Sequence, residues 1–285
     1  MERVLLCTNI QRDPALEATR QVLALFRQRG VAAQAFFPFD EVAPAGIDPA
    51  LICPDPESAM DGADLLLCLG GDGTMLHISK LAARHGVPML GVNLGHMGFI
   101  TELELEELYK LHEVIDGRCH VENRMMLDVR VKRDGAEIYA GFGLNEAVVA
   151  RRDPAHAIRL TAYGDDRKIS DYAGDGIIIA TPTGSTAYSM AAGGPIVEPT
   201  AENLILTPIC AHSLTAKAYV LAGDRVTSVK VIRSEGDDAL LLVDGRQPCP
   251  LKAGDLVYVR KSSYVTKLVK VRSLSFYDIV KNKLN

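Results

Sequence analysis

The first half of the chain alternates short apolar runs with segments whose apolar positions recur every three or four residues. Arg3 to Asn9 reads as a strand and Pro14 to Arg29 as an amphipathic helix, with Gly30 after its last turn. Val31 to Phe37 is a second apolar strand. Residues 38–58, rich in Pro, Ala and Asp, show no period and predict a loop with at most a short helix. Leu65 to Leu69 is a continuous apolar run, the pattern of a strand buried on both faces of a parallel sheet. A helical pattern follows at once and lasts to about His85. Pro88 to Val92 is a further strand, and Glu102 to Ile115 an acidic amphipathic helix closed by Asp116-Gly117. Strands alternating with helices imply a parallel sheet covered on both faces.

The pattern changes near residue 121. Met125 to Val131, Glu137 to Phe142, Glu146 to Ala150, Ile158 to Tyr163 and Arg167 to Tyr172 are short, partly alternating segments. Turn residues such as Arg133-Asp134-Gly135 and Gly164-Asp165-Asp166 separate them. Gly176 to Thr181, Arg225 to Ile232, Ala239 to Val243, Asp255 to Val259 and Val265 to Val271 continue the series. Strands at this spacing predict an all-β unit. A tail, Ser275 to Val280, is apolar enough to pack.

Composition narrows the class. With 285 residues the chain is long enough for two domains, and 48% hydrophobic against 24% charged residues is the balance of a soluble globular protein. A net charge of −5 and a pI near 5.8 provide no footprint for nucleic acid, and no basic run points to a membrane surface. The start, Met1 to Cys7, enters a strand directly and is not a signal peptide, and no apolar run is long enough to span a bilayer. The six cysteines form no C-x-x-C pair, the usage of reduced thiols in a cytoplasmic protein.

Candidate chemistry gathers where strands end. After Leu69 comes Gly70-Gly71-Asp72-Gly73-Thr74. The glycines permit a sharp turn and the close approach of a ligand, Thr74 is placed to cap the next helix, and that helix's N-terminus would face the ligand. Asp72 is one acid set among them. A nucleotide or phosphoryl-transfer site is the sharp reading, a tight turn with an incidental acid the bland one. A second glycine turn, Asn93 to Thr101, follows the strand at 88–92, so both turns lie where an open parallel sheet binds ligands. In the β unit, the strand Ile177 to Ala180 runs into Thr181-Pro182-Thr183-Gly184, and a short helix begins at Ser185 or Thr186 and stops at Gly193-Gly194-Pro195. Its hydroxyl-rich start suits a ribose, amide or phosphate. Asp175, between glycines just before that strand, is a second acid. No Walker-type P-loop and no G-x-G-x-x-G occur.

Taken together, these stretches resemble the NAD kinase family, ATP- or polyphosphate-dependent NAD 2′-phosphotransferases. Residues 70–74 match its GGDGT signature, Asn93 to Thr101 its N-L-G-x-x-G-F-x-T segment, and Asn145-Glu146 its N-E pair. Asp175-Gly176 with Thr181 to Tyr188 matches the D-G and T-P-T-G-S-T-A-Y block, and Asp244-Gly245 stands where D-G-Q is frequent. Three positions depart from the pattern. Ala173 replaces a basic residue, Arg246 stands in place of the Gln with Gln247 one position on, and Lys217 provides a basic residue expected after His212-Ser213-Leu214.

The resemblance implies transfer of the γ-phosphoryl of ATP to the 2′-hydroxyl of the adenosine ribose of NAD, with Mg²⁺ or another divalent cation carried by the ATP. A ribose hydroxyl is a poor nucleophile, and Asp72 is the carboxylate placed to act as its general base. Gly70, Gly71, Gly73, Thr74, His77 and Phe99 are expected at the phosphates and nucleotide. Asn145 and Glu146 are assigned to ribose or adenine, and Asp175 to the nicotinamide end. Thr186, Ala187 and Tyr188 are expected to wall the adenine and ribose pocket, with Ala191 and Arg246 also among the nucleotide-binding residues. The implied architecture is a Rossmann-like doubly wound α/β domain over 1–120 and a β-sandwich-type NAD-binding domain over 121–267, with 268–285 returning to the first. A homodimer or homotetramer is implied, with no nucleic-acid or membrane partner. A lipid kinase of the diacylglycerol or sphingosine type shares the GGDGT turn, and a non-catalytic dinucleotide sensor would share the fold; these are the alternative readings.

Overall fold

The computed structural model describes residues 1–13, 16–39, 44–95, 98–153, 155–213, 216–233, 239–272 and 275–284. The chain divides into two units, Met1–Asn123 with Thr266–Asn285, and Arg124–Val265.

The first unit is α/β. Its elements are β1 (Arg3–Thr8), α1 (Glu17–Gln28), β2 (Ala32–Phe36), α2 (Pro56–Ala59), β3 (Leu65–Gly70), α3 (Asp72–His85), β4 (Met89–Asn93), β5 (Leu103–Glu104) and α4 (Leu111–Ile115). Strands β4, β3, β1 and β2 lie side by side in that order, all parallel. The apolar run of β3 is buried along its whole length, because parallel strands are covered on both faces. α1 buries Ala18, Val22, Leu23 and Phe26, the three-and-four spacing that one helix face requires. Sheet order reverses between β1, which leads on to β2, and β3 on its other side. Beyond the carboxyl ends of strands at such a reversal, an open sheet has a crevice.

The expected helix over Glu102 to Ile115 is broken into β5, a 3₁₀ segment (Leu105–Lys110) and α4. The cause is local. β5 pairs with β4, Glu104 and Glu107 form a reciprocal capping box, and the buried Glu102 side chain is engaged elsewhere. Its carboxylate accepts from Val271 N (2.8 Å), Arg272 N (2.7 Å) and Lys270 Nζ (2.6 Å), and Arg272 also pairs with Glu107. These contacts fasten the returning chain to the first unit.

The second unit is all-β apart from one short helix. Its strands are β6 (His120–Arg133, entering from the first unit), β7 (Ala136–Gly143), β8 (Glu146–Arg151), β9 (Ile158–Gly164), β10 (Arg167–Gly174) and β11 (Gly176–Ala180). After α5 (Tyr188–Ala191) come β12 (Asn203–Ile209), β13 (Tyr219–Ala222), β14 (Thr227–Arg233), β15 (Ala239–Val243), β16 (Arg246–Leu251) and β17 (Leu256–Lys270). β13-β12-β11-β8-β15-β16 form an antiparallel six-stranded sheet. Alternate residues of it, such as Ala147, Val149, Ile177 and Ile179, meet Leu160, Val229 and Val257 from the layer containing β9, β14 and β17. Two sheets burying their inner faces against each other make a sandwich.

Three strands, β12, β13 and β16, have no counterpart in the apolar pattern. β16 carries Pro248 and Pro250, and it occupies a sheet edge, where a missing N–H costs no ladder bond. Pro208 of β12 pairs with Ile177 beyond the reach of β13, whose ladder stops at Leu206. The two strands expected at 255–259 and 265–271 are one strand, β17. The C-terminal helix α6 (Phe276–Leu284) belongs to the first unit but buries none of its side chains, so the tail lies on the surface.

Candidate active site

At the carboxyl ends of β1, β3 and β4 the first unit has a cavity of about 520 Å³, lined by Asn9, Asn93 and the whole of Gly70 to Thr74. α3 opens into it, with Gly71 as N-cap and no side chain capping the free amides. None of Gly70, Gly71 and Gly73 has a positive φ, so these glycines serve close approach rather than a left-handed turn. A Cβ on Gly70 would stand 2.3 Å from Thr74 Oγ1, whereas one on Gly73 would meet nothing within 4 Å. Room at Gly73 is therefore room for a ligand. Thr74 does not cap α3: it lies in the first turn, buried, and its hydroxyl accepts from Asn9 Nδ2 at 3.3 Å.

Asp72 is the first residue of α3, and its carboxylate is held by the second glycine turn. Oδ2 accepts from Phe99 N at 2.7 Å, and Oδ1 from Ile100 N at 3.1 Å and Thr101 N at 3.2 Å. Gly98 makes this possible, since a Cβ there would fall 1.7 Å from Asp72 Oδ1. Each carboxylate oxygen has two lone pairs, so Oδ2 keeps one for a further donor. His77, one turn along α3, has its ring 4.4 Å from that of Phe39, a residue that lines the cavity.

The second unit builds a separate constellation around Asp244. The two-residue turn Asp244-Gly245 joins β15 to β16 with both residues at positive φ (52° and 69°), the geometry that Asp-Gly hairpins favour. Asp244 accepts from Leu144 N (2.9 Å), Asn145 N (2.9 Å) and Glu146 N (3.3 Å), fixing the start of β8. Thr181 bridges the next layer: its hydroxyl donates to Leu144 O at 2.6 Å and accepts from Gly184 N at 3.0 Å. Gly184 lies so close that a Cβ would stand 2.2 Å from Asn145 O. Within this frame Asn145 Oδ1, Glu146 Oε2 and Thr183 Oγ1 are buried with no hydrogen-bond partner among the described residues. Buried polar atoms are rarely left so, which marks a place for a polar ligand. Burial first, then the charge of Asp244, pushes the Glu146 carboxyl up to about 8. At neutral pH it is a neutral acid, able to donate as well as accept.

Other expected residues lie around these frames. Thr183–Thr186 is a 3₁₀ turn and α5 has four residues, so the expected helix N-terminus at Ser185 or Thr186 is absent. Tyr188 and Ala191 are exposed and Thr186 and Ala187 half-buried, while Ser189 is buried against Thr207. Arg246 opens β16 beside the Asp244 turn, and the Gln247 side chain lies outside the described set. Asp175 is not brought to Asn145 and Glu146. It precedes the opposite end of β11, where Gly176 pairs with Ala150, and its carboxylate faces Arg151 Nε at 3.1 Å. A five-residue strand separates the two ends by roughly 17 Å. In the sequence reading Asp244, Gly98 and Asn93 enter only as parts of motifs, with no role of their own, and Asn9 only as the end of a strand. An Asp-Gly pair between apolar runs was a visible turn signal, but nothing local says what its carboxylate grips. Among the described residues no group of three or more His, Cys, Asp or Glu side chains could hold a metal ion, and no helix is long and apolar enough to cross a membrane. Among the described residues Asp72 is the acidic side chain lining the first-unit cavity, a donor set suited to a cation carried by phosphate and water oxygens.

Comparison with known proteins agrees with the geometry. Residues 56–118 match the ATP-NAD kinase N-terminal domain and residues 144–271 the ATP-NAD kinase C-terminal domain. The chain is 37% identical over 285 residues to an NAD kinase of Caldanaerobacter subterraneus subsp. tengcongensis, covering 100% of this chain and 99% of that one. It is 40% identical over 277 residues to an NAD kinase of Heliobacterium modesticaldum, covering 97% and 96%. The crystal structure of yeast NADH kinase complexed with NADH superposes with a TM-score of 0.83 at 27% identity, over 100% of this chain and 87% of that one. The fold also matches an NAD kinase from Archaeoglobus fulgidus in complex with ATP, with a TM-score of 0.75 at 24% identity, over 99% and 98%. Neither the lipid kinase nor the sensor reading finds support among these relatives.

Proposed function

The chain belongs to the NAD kinase family, and on that premise we propose that Asp72 is the general base and that the two constellations divide donor from acceptor. An NAD kinase moves the γ-phosphoryl of ATP onto the 2′-hydroxyl of the adenosine ribose of NAD. The bond between the γ-phosphorus and its bridging oxygen breaks, a bond to the 2′-oxygen forms, and the hydroxyl proton must leave. Oδ2 of Asp72, with a lone pair unused by the clasp, is the atom that takes it. The amides at the start of α3 and the glycine turn bind donor phosphates, and Asn145, the neutral acid of Glu146 and Thr183 hold the acceptor's adenosine. A divalent cation borne by ATP would neutralise charge developing on the transferred group.

The single observation behind the base assignment is the orientation of Asp72 by three backbone amides at the mouth of a helix. Asp72→Asn tests it. We expect kcat for NADP formation to fall at least about 100-fold, with the NAD dissociation constant shifted only about threefold, since the base acts on the transition state. Retention of more than about a tenth of wild-type kcat would remove Asp72 from that role.

Assembly is the second part of the proposal. Asp175 stands a strand's length from Asn145, so a homodimer or homotetramer in which a neighbour brings Asp175 to the nicotinamide end reconciles the two placements. Light scattering along a dilution series, run beside the assay, should show activity lost as the assembly dissociates. A fully active monomer would refute it.

A further inference from the structure

Two cations bound the Asp72 cavity from segments far apart in sequence, and the chemistry above uses neither. Arg12 stands in the turn after β1, where its amide donates to Asn9 O at 3.0 Å. Lys283 stands in the last turn of α6, its Nζ 4.5 Å from the centre of the Phe99 ring. Both line the cavity together with Gly71, Asp72 and Gly73. Arg12 is exposed and forms no ion pair among the described residues. Among the described residues the cavity wall sets against these two cations the single carboxylate of Asp72, an excess of positive charge. The N-terminus of the 14-residue helix α3 opens into the same space with its amides uncapped, which adds to the preference for an anion.

An occupant of one charge would satisfy a single cation. Arg12 and Lys283 reach the cavity from separate segments, so an extended polyanion engages both at once. Arg offers a planar fork matched to phosphate oxygens and Lys a mobile point charge. We propose that Arg12 and Lys283 form a two-point clamp on the polyphosphate chain of the phosphoryl donor. The assignment rests on the cavity being the phosphoryl-transfer site. It brings the exposed C-terminal helix into substrate binding and makes Lys283 a donor-specificity residue.

The clamp also touches the catalytic frame. Phe99, whose ring carries Lys283, donates its backbone N–H to Asp72 Oδ2. Because α6 buries no side chain, replacing Lys283 removes nothing from the core.

The test is calorimetric titration of the full-length protein with ATP and Mg²⁺ in the absence of NAD, and separately with NAD, at low and high salt. Arg12→Ala and Lys283→Ala are each expected to weaken ATP binding about tenfold, as loss of a hydrogen bond between charged partners does. Their ATP affinity should depend less on salt than the wild type's, because fewer ionic contacts remain to be screened. NAD affinity should stay within about twofold, and Lys283→Arg should keep most of the ATP affinity, since a cation remains. Unchanged ATP affinity in both alanine variants would overturn the clamp, as would equal losses for ATP and NAD. Without acceptor there is no turnover, so an active Asp72→Asn enzyme would defeat the base assignment and leave these titrations standing.

Discussion

Asp72 and Asp244 solve one problem in two settings. Each carboxylate grips three consecutive backbone amides, 99–101 in one case and 144–146 in the other. Each clasp closes on a glycine, Gly98 or Gly143, where a Cβ would strike the carboxylate. Asp72 does this at the wall of a cavity with a lone pair to spare, so under the proposed mechanism the clasp orients the base. Asp244 does it when 5% exposed, and what it orients is not itself but its neighbours, Asn145 and Glu146. The same local device thus leaves a carboxylate oxygen available where it meets open space and fixes the neighbouring backbone where it does not.

The widest gap between the two should come from their glycines. Gly98→Ala puts a methyl 1.7 Å from Asp72 Oδ1 and must displace the carboxylate, so kcat should approach the loss expected for Asp72→Asn, about 100-fold, in a protein that still folds. Gly143→Ala crowds Val243 and Asp244 at 2.7–2.9 Å and should instead cost about 1–3 kcal/mol in urea unfolding. If Gly98→Ala keeps near-normal kcat, the clasp does not set the reactive geometry.

Asp244→Asn is the next step down. An amide offers one acceptor oxygen to three N–H donors and turns a donor of its own toward them, so unfolding free energy should fall about 2–3 kcal/mol. Dinucleotide binding should weaken with it as residues 144–146 loosen, which calorimetry reads directly. A stability loss with unaltered NAD binding would make Asp244 purely structural.

The smallest effect concerns Glu146. Its folded value near 8 lies above the ordinary glutamate value of about 4.3, so the folded protein keeps a proton that the unfolded chain has released. Its contribution is fully present below pH 4 and is lost as pH climbs through that window, with a slope of at most about 1.4 kcal/mol per pH unit. Glu146→Gln mimics the neutral acid, so the variant should gain at least about 1 kcal/mol on the wild type between pH 5 and pH 8, measured by paired thermal melts. Parallel pH profiles would mean that Glu146 is ionised in the folded state.

Much of this protein was legible along the chain. A parallel strand buried on both faces has no choice but a continuous apolar run, and β3 shows one from Leu65 to Leu69. The hairpin turns at Asp134-Gly135 and Asp165-Asp166 announce themselves because positive φ at two successive residues suits few side chains. The glycine turn with Asp72 was readable for a different reason: close approach demands glycine. What the chain could not show is how an acid spends its lone pairs. Glu102 grips a segment 169 and 170 residues away, Asp244 one 98–100 residues away, and Asp72 one 27–29 residues away. Each of these bonds depends on which strand ends the sheets bring together, and register between distant strands has no local signature. The strands β12 and β16 were hidden likewise, because whether a proline is tolerated depends on which neighbour its missing N–H would have faced. Local sequence therefore determined most of the elements and the residue types at the site. Tertiary structure decided which carboxylate is aimed at open space and which is walled in, because exposure and hydrogen-bond partners are properties of the packed chain.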